Sequence, residues 1–131
     1  EWNYRETSIP FDEVVLECEV ATTEGSEQEI RRAMQKSQER RRITQPLGLP
    51  SCGSVFRNPE GESVGRLIEN VGLKGALCGG AQISERHANF IVNKGGAKAV
   101  EVLSLIHAAS DAVAERYGVE LVPEVRFLGF E

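Results

Sequence analysis

Cysteine is scarce: the chain holds Cys18, Cys52 and Cys78, and no CxxC pair. An odd, widely spaced set argues against a disulfide framework and points to a reducing compartment. Histidine is scarcer, with only His87 and His107. A zinc site would have to recruit scattered ligands, so no metal is expected. No apolar run approaches the roughly 18 residues of a membrane span, and no signal peptide is visible. Basic residues are outnumbered, 15 Lys and Arg against 20 Asp and Glu, for a net charge of -5. That balance argues against a general affinity for nucleic acid, though a local basic patch can still hold an anion. An initial methionine is also missing; a chain opening on Glu1 reads as processed, or as a piece of something longer. What remains is 131 residues, 40% hydrophobic, which suits one domain with one modest core.

Residues 12–22 alternate, with Val14, Leu16, Cys18 and Val20 on one side and Val15, Glu17, Glu19 and Ala21 on the other. This is the pattern of a half-buried strand. Ser26 with Glu29 three residues on forms a capping box and starts a helix over 26–43. Its apolar stripe, Ile30, Ala33, Met34 and Ser37, is narrow and predicts packing on one side only. The helix ends in Arg40, Arg41 and Arg42, where the helix dipole favours positive charge.

Residues 44–62 are punctuated by Pro46, Gly48, Pro50, Gly53, Pro59 and Gly61 and read as a long loop anchored by Val55 and Phe56. A structured loop of that length is usually functional. A short helix follows over 63–71, then a Gly-rich stretch over 73–84 and a strand over 88–93. The longest helix is expected over 97–117, since Val102, Leu103, Ile106, Ala109, Val113 and Tyr117 recur every three or four residues before Gly118. A last strand is expected over 119–128. Helices and strands mix without strict alternation, so the fold class is α+β, with a mixed or antiparallel sheet of about four to five strands packed with three helices.

Three groups are able to carry chemistry. Ser54 follows Gly53 on the loop and can present its hydroxyl unobstructed, although the second glycine of a hydrolase elbow is missing. Glu124 and Arg126, two apart on the last expected strand, would stand side by side. Together they could bind a carboxylate and handle a proton. Arg40, Arg41 and Arg42, with Gln45 close behind, offer guanidinium forks to phosphate oxygens. Pattern alone favours blander readings: a turn serine, an exposed charge pair and a solvated helix end. Asn58, Lys74, Asn89 and Asn93 are further polar candidates, and Tyr4-Arg5 carries no meaning by itself.

Taken in order, the pieces resemble one family. They are Tyr4-Arg5; Gln45-Pro46; Pro50 through Phe56 with Asn58-Pro59; Gly65-Arg66-Leu67-Ile68-Glu69; Gly72-Leu73-Lys74-Gly75; Gly79-Gly80-Ala81; Ser84, His87 and Asn89 through Asn93; and Pro123-Glu124-Val125-Arg126 with Gly129. This run, spread over nearly the whole chain, is similar to the UDP-N-acetylenolpyruvoylglucosamine reductases (UDP-N-acetylmuramate dehydrogenases). The subtype without an inserted loop between the first strand and helix fits best.

The resemblance implies an NADPH- and FAD-dependent reduction of a UDP-sugar enolpyruvyl double bond. That reaction makes a peptidoglycan precursor in the bacterial cytoplasm. It implies Ser54 as proton donor, and Glu124 and Arg5 facing the substrate carboxylate. Tyr4, Arg41, Arg42, Gln45, Asn58 and Arg126 would line the substrate site, and Arg126 and Gly53 would lie by the flavin. Thr7 stands where the family has serine. Residues 1–131 would be the C-terminal substrate-binding domain. The family's main FAD-binding region precedes Tyr4 and is absent here, so the chain alone is expected to be inactive. That missing region and the UDP-sugar are the implied partners, with neither nucleic acid nor membrane. No Gly-rich dinucleotide loop follows an expected strand, and Gly79-Gly80 is too little for one. The alternative is a stand-alone nucleotide-sugar or anion-binding module without catalysis.

Overall fold

The computed structural model describes residues 2–3, 6–10 and 12–129. Tyr4 and Arg5, expected in the site, lie outside the described residues. The elements run β1 (Trp2–Asn3), β2 (Glu6–Thr7), α1 (Glu27–Thr44), β3 (Ser51–Ser54), α2 (Val64–Asn70), β4 (Leu77–Cys78), β5 (Ala81–Ile83), β6 (Phe90–Asn93) and α3 (Ala99–Tyr117). β1 and β2 form a two-stranded pair, and the other strands form one sheet in the order β3-β6-β5-β4. Each neighbouring pair in it is antiparallel. With three helices among the described residues, the α+β reading holds.

Period two decides which side of the sheet is core. Ile83 pairs with Ile91, while Gln82 pairs with Val92 and points the other way. Ala81, Ile83 and Ile91 join Val64, Leu67 and Ile68 of α2 and Leu105, Ile106, Ala109 and Val113 of α3 in one buried cluster. Ile106, Ala109 and Val113 of the stripe expected over 97–117 lie on the packed face of α3 with the partly buried Val102, joined by Leu105, whereas Tyr117 is 40% exposed. Burying each large side chain there contributes about 1.5–3 kcal/mol. On the opposite side, Gln82 and Val92 floor a cavity of about 570 Å³ beneath Pro46, Gly48 and Leu49.

The glycine pair before β5 serves packing. A Cβ on Gly80 would stand 2.5 Å from the Gly95 carbonyl oxygen and 2.6 Å from the Ala97 nitrogen, closer than side chains ever sit. Glu101 Oε2 accepts the Gly80 N–H at 3.0 Å and the Lys98 N–H at 2.9 Å, tying the start of α3 to the sheet. The Lys98 amide, and after it the Gly80 amide, hold the Glu101 carboxyl below its ordinary value of 4.5. A depressed carboxylate stabilises the fold fully above its unfolded pKa, and the contribution fades as pH falls through the lowered folded value. Urea titrations of wild type and Glu101→Gln should therefore differ most near neutrality and converge at acid pH. A gap that stays constant would remove the carboxylate's charge from the explanation.

Four expectations are corrected. Residues 12–22 form no strand, and Val14, Leu16 and Val20 are 80%, 92% and 72% exposed. The alternating pattern supplies a face but no partner. Among the described residues no strand runs beside these, and an unpaired strand has nowhere to place its backbone hydrogen bonds. α1 does form, but its stripe does not pack: no residue of it is buried, and Ser26 makes no side-chain cap bond. Local pairs support it instead, such as Glu27 with Arg31 at 2.7 Å and Glu39 with Arg42 at 2.8 Å. Exposed pairs of this kind add only a little each. Arg86 Nη1 ties its C-terminal end to the sheet, donating to the Arg42 carbonyl at 3.0 Å and the Gln45 carbonyl at 3.4 Å. The expected loop over 44–62 contains β3, and the Gly-rich stretch contains β4 and β5. The expected strand over 119–128 shrinks to one bridge between Phe56 and Pro123. Its two bonds come from the N–H groups of Arg57 and Glu124, so Pro123 sits where the bridge calls for no N–H of its own.

Candidate functional site

Ser54 stands where β3 stops being regular. The register between β3 and β6 shifts between Ser51 and Ser54, and Gly53 takes a left-handed φ of 86°. Such a bulge inserts an unpaired residue, and re-aims the side chain after it. An L side chain at Gly53 would be strained, although a Cβ there would meet nothing within 4 Å. The bare backbone of Gly53 therefore faces open space beside Ser54.

Past the bulge the chain is anchored. Val55 and Phe56 are 1% and 2% exposed, which bears out their reading as anchors. The tail after α3 then runs antiparallel against them. Arg57 N–H donates to the Val122 carbonyl at 2.9 Å, and Glu124 N–H donates to the Val55 carbonyl at 2.8 Å. These two bonds carry Glu124 and Arg126 across about seventy residues of sequence to the side of Ser54. Cys52, Gly53, Ser54, Glu124, Val125 and Arg126 line one cleft of about 540 Å³. A second cleft, of about 350 Å³, lies between Arg57 and residues 123–126. Glu124 and Arg126 line both clefts, so they form the ridge between them. Oε1 of Glu124 and Nε of Arg57 are shielded from solvent, while Arg126 is exposed as a residue.

The other expected residues stand apart from this cleft. Arg42 is held by Glu39 through two bonds of 2.8 Å, from Nε and from Nη2. That side-chain bond pulls the Glu39 carboxyl below its ordinary range and raises Arg42. Arg41 Nε donates to Gln45 Oε1 at 3.3 Å. None of the three lines the Ser54 cleft. Asn58 is exposed, and its Oδ1 accepts the Val64 N–H at 3.1 Å, at the start of α2.

Cys52 lines the same cleft, yet burial around its sulfur pushes the thiol pKa up. It is thus no activated nucleophile, which needs a lowered pKa. Asn89 is the residue that sequence reasoning undervalued: only 3% exposed, it bonds Phe56 from both ends of its amide. The signal was an asparagine inside an apolar strand, where an amide needs partners.

A flavin can be tested against these residues. Gly53 offers an open, side-chain-free backbone and Arg126 an exposed guanidinium beside it. Both would suit the edge of a flat ring that carries carbonyl acceptors. A phosphate cradle is another matter, because the Gly80 N–H is committed to Glu101. The Gly79-Gly80 turn thus leaves no Gly80 amide for a phosphate. Among the described residues no group of three or more His, Cys, Asp or Glu side chains could hold a metal ion. None of their helices is long and apolar enough to cross a membrane.

A hydroxyl, an acid and a guanidinium thus surround one cleft on an antiparallel α+β domain. The family model for the C-terminal domain of UDP-N-acetylenolpyruvoylglucosamine reductase matches residues 45–128. The reductase of Halalkalibacterium halodurans is 48% identical over 118 residues, covering 90% of this chain and 39% of that protein. The reductase of Alkalilimnicola ehrlichii is 48% identical over 126 residues, covering 96% and 42%. A crystal structure of UDP-N-acetylenolpyruvylglucosamine reductase from Thermus caldophilus superposes with a TM-score of 0.61 at 42% identity, over 79% of this chain and 36% of that one. The chain belongs to the UDP-N-acetylenolpyruvoylglucosamine reductase family. It spans about two fifths of the length of the curated relatives it matches.

Proposed function

We propose that this chain is the substrate-binding part of a reductase that converts UDP-N-acetylglucosamine enolpyruvate to UDP-N-acetylmuramate. The observation that carries this reading is the convergence of Ser54, Glu124 and Arg126 on one cleft within a domain of that family. When bound, FAD reduced by NADPH supplies a hydride to C3 of the enolpyruvyl group. As C3 takes the hydride, the double-bond electron pair moves to C2, where negative charge develops and spreads into the adjacent carboxylate. Ser54 Oγ–H delivers a proton to C2, and solvent reprotonates the serine. A hydroxyl is a poor acid in water, but an adequate one against a strongly basic carbon held in contact with it.

Glu124 and Arg5 face the carboxylate. Arg5 offsets its charge, and Glu124 donates a hydrogen bond as the acid or through a shared proton, since a bare carboxylate there would repel the enolate. Donors fixed in advance in a water-poor cleft stabilise developing charge best. Arg126 and Gly53 border the flavin, while Tyr4, Asn58, Arg41, Arg42 and Gln45 serve the UDP end. The reaction belongs to peptidoglycan precursor synthesis in the bacterial cytoplasm.

The test uses the full-length protein. Its flavin, reduced under anaerobic conditions, should be reoxidised in one rapid phase on adding the UDP-sugar, with UDP-N-acetylmuramate as product. A reduced flavin that ignores the UDP-sugar would sink the reading.

A further inference from the structure

Asn89 occupies a place that the proposed chemistry leaves without a role. It is buried to 3% exposure, at the entry to β6 and opposite the residues that follow Ser54. Oδ1 accepts the Phe56 N–H at 2.9 Å, and Nδ2 donates to the Phe56 carbonyl at 2.8 Å. The side chain thus reads the backbone of one residue at both of its polar atoms, as a neighbouring strand would. The main chain of Asn89 adds to the grip, its carbonyl accepting the Val55 N–H at 2.9 Å. Its own N–H donates to His87 Nδ1 at 3.2 Å. The other edge of this stretch is taken by the tail, through the Glu124 N–H to Val55 and the Arg57 N–H to Val122. Residues 55–57 are therefore gripped from two sides, and Ser54 stands immediately before the grip.

The bulge explains why such a clamp is needed. Between Ser51 and Ser54 the ladder to β6 shifts register and resumes only at the Ser54–Phe90 pair, so regular pairing holds Ser54 from one side and ends there. From the next residue on, the path of the chain is set by Asn89 on one side and by the tail on the other. His87 is held in the same arrangement. Burial, then the Lys74 charge, lowers its pKa, and an Nδ1 that accepts a hydrogen bond carries no proton. The imidazole packs against the Phe90 ring with centroids 5.0 Å apart, and its Cε1 would lie 2.9 Å from any Cβ at Gly65. The anchor of the clamp is thereby itself wedged between β6 and α2.

Resting on the proton-donor reading of Ser54, we infer that Asn89 is a positioning residue. Its side-chain amide substitutes for a missing strand neighbour and holds Phe56, and through it Ser54, at the distance that proton delivery to C2 requires. A side chain misplaced by about 1 Å can cost about 10²-fold in rate.

The experiment uses the full-length protein with bound flavin, and rates counted per flavin so that unfolded protein drops out. Asn89→Leu keeps the branching at Cγ, though it is somewhat larger, and removes both bonds. It should lower kcat by about 10²-fold and leave KM little changed. Placed on a Ser54→Ala background, it should slow the enzyme no further, because residues acting through one another are not additive. An equal further loss on that background, or a wild-type kcat in a less stable protein, would overturn the proposal. Should Asn89→Leu fail to fold, Asn89→Asp carries the same comparison, since its Oδ1 still accepts the Phe56 N–H while the donor is gone. Amide exchange in the wild type needs no variant: the Phe56 N–H should be as protected as the amides of β6, and exchange at the rate of exposed loops would overturn the clamp. A Ser54→Ala protein with an unchanged rate would sink the functional reading instead, and the amide exchange alone would then judge the clamp.

Discussion

Ser54→Ala in the full-length protein should lower kcat by about 10²–10⁴-fold, the range that a positioned proton donor supplies. KM should barely move, because the hydroxyl acts on C2 in the transition state and not on the bound UDP-sugar. Flavin reduction by NADPH should proceed at the wild-type rate, since that half of the reaction does not use the serine. The fold should be unaffected too: Ser54 is only part-buried, and the anchoring bonds start at Val55. Stopped-flow spectra of the two half-reactions separate these outcomes. A slow oxidative half beside a normal reductive half is expected. Equal slowing of both halves, or a loss of stability with normal rates, would give Ser54 a structural role instead.

Phe56→Ala should remove about 3–5 kcal/mol of stability, the usual cost of a large cavity in a packed core. Phe56 is among the largest fully buried side chains, at 2% exposure. It is also the residue held by Asn89 on one side and bridged to Pro123 on the other. Small domains hold about 5–15 kcal/mol in total, so a protein of ordinary stability would be left close to unfolding. Where it stays folded, the tail carrying Glu124 should loosen, since the ring beneath its bridge is gone. Urea titration gives the first quantity, and amide exchange at Glu124 gives the second. A loss under about 1 kcal/mol would mean that this part of the core collapses around the gap.

The parts of the fold that were legible in the sequence are those whose pattern matches one packed face. α3 was read from its three-and-four spacing because Ile106, Ala109 and Val113 fall on its buried face, although Leu105, buried beside them, was not part of the stripe. α2 and β6 were equally plain. β3 was hidden because Pro50 and Gly53 look like loop punctuation, whereas Gly53 marks a bulge inside a strand. β4 and β5 were hidden by Gly79 and Gly80, whose role is to let Glu101 and the 95–97 backbone approach. The strand over 12–22 failed for the opposite reason. Its pattern is good, but pairing is a property of two segments, and one sequence stretch cannot show its neighbour.

The site was legible in composition and not in construction. Gly53, Ser54, Glu124 and Arg126 were all named, and all line one cleft. What the sequence did not reveal is that two backbone bonds, at Val55 and Arg57, bring the two ends of the domain together. The expected strand geometry for Glu124 and Arg126 was wrong even though their juxtaposition was right. Arg41, Arg42 and Gln45 engage Glu39 and each other and do not line that cleft.

The most direct measurement is a crystal structure of the full-length protein with the UDP-sugar bound and the flavin oxidised, so that nothing reacts. The substrate carboxylate should lie within hydrogen-bonding distance of Glu124, with C2 against Ser54 Oγ and the flavin ring over C3. An enolpyruvyl group bound away from the cleft of Ser54, Glu124 and Arg126, or placed so that Ser54 cannot reach C2, would contradict the proposed role of this domain.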